Sequence, residues 1–435
     1  MDRLAQQGVV FEGAFSPISY TAPAHASIMT SKYPSFHAIG FTNGDALFGP
    51  ALIGTLPEIL NEIRFRTAAF VSTIVLRRGV GLESGFKHYD DSCCEPELNR
   101  PDVLKRNGLK TTEAALHWLA HNTENNLFLW MHYMDVHGPY VPPEPWGSIY
   151  ADDDSGPESR LLECVPDGLL GGIPQYQVLK PIRDSSGRLI DYEKDAKHYV
   201  SQYDTCIRYV DSLVGTLTEK LQELGMWDTS MLVVASDHGE AMGENNVFFF
   251  HGLSLTLDQI RIPLIIKMPQ NRYSGLRVTR PVSALDIMPT VLHAIGYDCS
   301  TAGRLSLFDY VLSNQNTRDR QIFSEMEGQI SVVKGPFQLL CRRDDIGDRE
   351  CGVSPLEAST ELRLADYTSD PEGKHNIVQD KPDLTQEMLK MARMYMHLAN
   401  ASHSALRGRF KPLLEEEETR IRERLKQLGY IPRTR

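Results

Sequence analysis

Met231-Leu-Val-Val-Ala-Ser236-Asp237-His238-Gly239-Glu240 decides the fold. Its apolar run has the length of a buried strand, and a carboxylate and an imidazole stand side by side where that strand ends. Before it, Tyr199, Tyr203, Ile207, Val210, Val214, Leu217 and Leu221 recur at three- and four-residue steps. That periodicity predicts one long amphipathic helix over 195–224 that feeds the strand. Strands rich in Val, Ile and Leu that alternate with helices imply a mostly parallel sheet covered on both faces. In such sheets ligands gather at the carboxyl ends of the strands, where Asp237 and His238 fall.

The alternation extends outward. Residues 55–63 read as a helix with Pro57 in its first turn, and 66–72 read as a strand. An amphipathic helix over 110–122, with Thr112 as N-cap, precedes a buried strand at 126–134. Residues 145–195 are rich in Gly, Asp, Ser and Pro and read as a surface insertion, a candidate substrate lid. Beyond about 305 the pattern breaks into short strands and a helical tail, including an amphipathic segment from 413. We therefore expect an α/β catalytic domain over 1–305 and a smaller α+β subdomain over 306–435.

Composition narrows the function. The 435 residues carry 41% hydrophobic and 23% charged side chains, near the globular average. No run approaches the roughly 18 apolar residues of a membrane span. A net charge of −12 argues against a nucleic-acid partner. Seven cysteines make neither a disulfide framework nor a zinc module, and the odd count favours a reducing, cytoplasmic setting.

Three segments carry candidate chemistry. In Ser19-Tyr-Thr21-Ala-Pro-Ala-His25, Thr21 stands at a helix N-terminus, where free N–H groups and the helix dipole favour an anion. A hydroxyl so placed is sited to attack a phosphoryl or sulfuryl centre; the plainer reading is that Thr21 only caps the helix. Asp237 and His238 are adjacent donors for a metal, though Asp-His-Gly also suits an ordinary turn, and His251 follows behind an aromatic run. His137 opens a proline-rigid turn, His137-Gly-Pro-Tyr-Val-Pro-Pro. Each of His137 and His251 alone reads more readily as a hydrogen-bonded core histidine.

Together these segments resemble the sulfatase family of the alkaline-phosphatase superfamily. Met1-Asp-Arg-Leu through Val9-Val-Phe11 is similar to the helix and strand before the family's nucleophile, and Thr21-x-Pro-Ala-His falls on its Cys/Ser-x-Pro-Ser-Arg. His137-Gly-Pro-Tyr-Val-Pro-Pro resembles the substrate-binding histidine loop. Asp237-His-Gly-Glu through Ile262-Pro-Leu-Ile-Ile resembles the metal-binding core, and Ala365-Asp-Tyr-Thr-Ser-Asp-Pro-Glu-Gly-Lys-His-Asn the recurrent C-terminal segment. The resemblance implies hydrolysis of a small sulfate or phosphate ester, with Thr21, His25 and His137 catalytic and His137 and His251 binding substrate. It also implies one divalent ion on Asp237 and His238. That ion is Ca²⁺ by resemblance, while the carboxylate–imidazole pair itself is compatible with Mn²⁺ or Zn²⁺.

Two departures shape the expectation. Threonine cannot become the family's formylglycine, and a threonyl ester must be resolved by attack on phosphorus or sulfur, so phosphoryl chemistry suits Thr21 better. His25 replaces the family's arginine. The family's first strand, with its two metal-binding aspartates, lies before the point that Met1 matches, so half of the expected metal site is missing. One alternative is a two-metal phosphodiesterase or phosphotransferase with a second ion on His137 and His251, joined by Asp135. The other is a non-catalytic relative that binds anions or a partner.

Overall fold

A computed structural model describes residues 1–37, 39, 54–123, 126–150, 159–166, 171–178, 181–297, 306–312, 320–326, 328–346 and 362–407. The expected domain boundary near 305 and the amphipathic segment from 413 lie outside those residues.

The deciding stretch forms strand Leu232–Ala235, and Asp237 and His238 follow at its carboxyl end. It pairs antiparallel with Leu264–Lys267, which pairs antiparallel with Val9–Phe11, which in turn runs parallel to Leu276–Val278. The parallel order expected of the sheet holds fully around Arg66–Phe70, flanked by His88–Asp90 and Leu127–Met131. Leu264–Lys267 is buried on both faces, as its unbroken apolar run requires. Its Lys267 reaches the Trp227 and Ser230 carbonyls and lies over the Trp227 ring, so the buried ammonium is satisfied.

The helices largely follow their sequence signals. The long helix runs Ala196–Glu223, with the Asp195 side chain capping Lys197 N–H, and it buries Tyr199, Val210, Val214, Leu217 and Leu221. Ile207 departs from that stripe and is exposed, because Cys206 and Tyr209 turn inward instead. Leu217 and Leu221 join Leu119, Leu127, Met131 and Leu232, which ties the two main sheets through one apolar cluster. Helix Leu56–Glu62 has a full capping box from Thr55 and Glu58. The next helix runs Gly108–Ala120, capped by Asn107 and not by Thr112, which lies inside it and bonds the Gly108 carbonyl.

Four antiparallel strands, Gln321–Met326, Gln329–Lys334, Phe337–Arg342 and Arg363–Asp366, form the C-terminal sheet. Alternation assigns its faces. Ile330, Val332 and Leu339 pack under helix Pro382–Arg407, while Val333 and Leu340 meet Phe15, Ile18 and Ala24 of the N-terminal half. At that seam Glu325 accepts from both the N–H and the hydroxyl of Ser35 at 2.6 Å. No helix among the described residues is long and apolar enough to cross a membrane. In the 145–195 segment, Ile173, Tyr176 and Gln177 are buried, whereas hairpin 181–192 is exposed.

Candidate active site

Helix Thr21–Thr30 is buried on almost every side because its alanines let it sit between two clusters. Ala24 faces the C-terminal sheet; Ala22 and Ala26 face the Arg66–Phe70 sheet. Tyr20 occupies the N-cap position, so Thr21 is the first helical residue and the capping reading is corrected. Its hydroxyl lies instead 3.2 Å from His238 Nε2. His25 falls one turn later on the same face.

Around Asp237 stand three imidazoles. Its Oδ2 is 3.5 Å from His238 Nε2 and 3.7 Å from His25 Nε2. His132 packs edge-on against His25, with ring centroids 5.1 Å apart. His25 Nε2 and His132 Nδ1 are buried without hydrogen-bond partners. Burial lowers the His25 and His238 imidazoles below their usual range, partly opposed by Asp237, and drives His132 down to about 3. Burial alone would raise Asp237, but the imidazoles of His238, His25 and His132 outweigh it and hold the carboxyl well below the usual range. At neutral pH the centre is one carboxylate among neutral imidazoles.

The His238 tautomer follows from its neighbours. Nδ1 lies 2.8 Å from the Gly239 carbonyl, which can only accept, so Nδ1 carries the proton. Neutral His238 then presents a bare Nε2 lone pair, and Thr21 Oγ1–H donates to it. Gly239 permits this turn, since a Cβ there would lie 2.0 Å from the Asp258 carbonyl oxygen.

Beyond His238, the His251 ring lies tilted against it at 4.2 Å between centroids, and His137 meets His251 at 5.0 Å. The antiparallel pairing of Ala241 with Phe250 brings Glu240 opposite His251, whose Nδ1 donates to the carboxylate at 3.2 Å. Gly252 has φ of +78°, and a side chain there would strike the Tyr20 ring. Burial pushes His137 well below its ordinary value; its Nδ1 donates to the Gly138 carbonyl. His137 and His251 line one wall of a small, partly open cleft, with Tyr20, Thr73, Arg100, Met134 and Tyr176 among its other walls.

Among the described residues, Asp237 and His238 alone do not complete a metal site. His238 commits Nδ1 to Gly239 and Nε2 to Thr21, and among the described residues no three His, Cys, Asp or Glu donors converge closely enough to hold an ion. The second-metal variant loses its carboxylate: Asp135 turns away to accept from Gly108 N–H at the start of the next helix.

Thr21, His25, Asp237, His238, His251 and His137 thus form one chain of neighbours. Sequence reasoning missed His132, Glu240 and Arg100. His132 sat within an apolar strand reading, and its position at a strand's carboxyl end was the signal. Glu240 needed the hairpin register, and Arg100 had no signal.

The sulfatase family model matches residues 1–297, and the chain belongs to that family. It is similar to the multifunctional alkaline phosphatase superfamily protein PehA of Trinickia caryophylli, 26% identical over 349 residues, covering 68% of this chain and 67% of that one. It is also similar to arylsulfatase K of Bos taurus, at 24% identity over 68% of this chain and 56% of that one. The chain spans only a little over half the length of that arylsulfatase, and of an ulvan-active sulfatase of Formosa agariphila, of which it covers 55%. Among solved structures, BT4656 in complex with D-glucosamine-2-N,6-O-disulfate has a TM-score of 0.68 at 18% identity, covering 92% of each chain. A phosphonate monoester hydrolase from Silicibacter pomeroyi has a TM-score of 0.66 at 18% identity, covering 91% of this chain and 90% of that one. These likenesses give the alkaline-phosphatase-like α/β fold.

Proposed function

We propose that the protein hydrolyses sulfate or phosphate esters through a covalent Thr21 ester, with phosphoryl transfer favoured. The observation that carries this reading is the 3.2 Å contact between Thr21 Oγ1 and a His238 whose other nitrogen is already spent on a carbonyl. His238 Nε2 takes the hydroxyl proton as Thr21 Oγ1 bonds to phosphorus or sulfur, and the ester oxygen leaves with the bonding pair. The departing oxygen takes its proton from water, and His137 and His251 contact it from the cleft wall. Water then attacks the threonyl ester, and as Thr21 Oγ1 leaves phosphorus or sulfur His238 returns its proton to it. The helix N-terminus stabilises the transferring group's oxygens, and His25 contributes a hydrogen bond. The sulfatase family and the phosphonate monoester hydrolase fold likeness support an ester hydrolase of this class.

The charge of Asp237 is what calls for a cation beside an anionic substrate. Whether one divalent ion binds is read by thermal shift with Ca²⁺, Mn²⁺ and Zn²⁺ in the wild type and in Asp237→Ala. The function itself is tested on matched sulfate and phosphate monoesters with wild type, Thr21→Ser and Thr21→Ala, each rate normalised to folded protein. Thr21→Ser is expected to retain activity and Thr21→Ala to lose it. A fully active Thr21→Ala would end the nucleophile assignment.

A further inference from the structure

The cleft beyond His251 says what kind of alcohol the ester carries. The cleft adjoins the site on two sides, since Tyr20, which precedes Thr21, and His251, whose ring lies against His238, both line it. Val75, Val103, Met134, Tyr176, Phe250 and the Tyr20 ring give this cleft apolar, largely aromatic walls. Arg100 is the permanent charge among the described lining residues, and it is already matched. Its guanidinium is ion-paired with Glu97, itself 2% exposed, and lies 4.1 Å over the Tyr176 ring. A charge so paired and stacked forms a wall and offers no net field to a second anionic group. A polyhydroxylated alcohol would lose water against these surfaces without regaining its hydrogen bonds.

Resting on the hydrolase reading above, we infer that the cleft is the leaving-group subsite and that it selects a flat, uncharged, apolar alcohol over a sugar. Val103 and Met134, two of its apolar walls, are the positions at which that preference is probed.

Benzyl phosphate and glucose 6-phosphate release alcohols of comparable basicity, so their ratio of kcat/KM reads the pocket and not the bond. The same pair as sulfates covers the other transferred group. The benzyl ester is expected to lead by about tenfold or more. Val103→Thr, which keeps the shape and adds a hydroxyl, should shrink that ratio several-fold; Met134→Gln serves where the first variant does not fold. A glucose ester turned over as well as the benzyl ester, or a ratio untouched by the variants, overturns the inference. If no ester is turned over, the hydrolase reading fails and benzyl alcohol alone decides the cleft by ligand line broadening. Binding weakened by Val103→Thr supports it, and absence of binding at millimolar alcohol overturns it.

Discussion

Helix Thr21–Thr30 carries two hydroxyl–imidazole pairs, and they differ in the nitrogen that faces away. Thr21 Oγ1 meets His238 Nε2 at 3.2 Å, and Ser27 Oγ meets His37 Nε2 at 3.0 Å. Distance and burial alone would favour the Ser27 pair as the dyad. But His37 Nδ1 accepts the Ile39 N–H at 3.1 Å, so the His37 proton sits on Nε2 and the ring donates to Ser27. His238 has the reverse wiring through the Gly239 carbonyl. One pair holds a loop together; the other can take a proton from its hydroxyl. The partner of the remote nitrogen, not the hydroxyl–imidazole distance, makes a base.

The sharpest way to break this comparison is to remove each hydroxyl. Thr21→Ala should lower turnover by about 10³-fold or more, since the attacking atom is gone. Ser27→Ala should leave turnover alone and cost about 1 kcal/mol in a denaturant melt. Equal effects on rate would erase the distinction. Next in size is His238→Ala, expected to cost about 10²–10⁴-fold in kcat; His37→Ala should instead reduce the melting temperature. The wiring also sets pH behaviour. Because burial lowers His238, it remains an unprotonated base below pH 6.5, so the acid limb of a kcat/KM profile should fall only beneath that value. A limb centred at or above 6.5 would contradict the buried, neutral His238.

The smallest expected effect concerns Asp135, which the sequence offered as a metal ligand. Burial raises its carboxyl to about 6, against the pull of Gly108 N–H. A raised folded-state value contributes stability that is complete below the unfolded value, near 4, and is lost as pH rises through about 6. The wild type should therefore lose melting temperature between pH 4 and 6 to an extent that Asp135→Asn reduces. Parallel curves for the two proteins would show that the carboxylate does not titrate in that window.

The fold was legible because apolar runs and helical periodicity act locally, as in 196–223 and 232–235. Errors came where a competing local group won, as when Asn107, a stronger cap, took the helix start from Thr112. The site was legible as a set of residue types: Thr21, His25, His137, Asp237, His238 and His251 do lie together. Their roles were not, because a role depends on what the other end of each side chain touches. Nothing in Asp237-His238 announces that the Gly239 carbonyl fixes a tautomer, and nothing in Asp135 announces a helix start 27 residues earlier. Those contacts exist only once the strand ends are assembled.

Hydrolysis through Thr21 means that Thr21 forms and then loses a covalent ester. It is tested most directly by the stereochemical course at phosphorus, using a phosphorothioate monoester made chiral with oxygen isotopes and hydrolysed in water carrying the third isotope. Two successive in-line displacements, first by Thr21 and then by water, predict net retention of configuration. Net inversion would mean that water attacks in a single step, and would contradict the account.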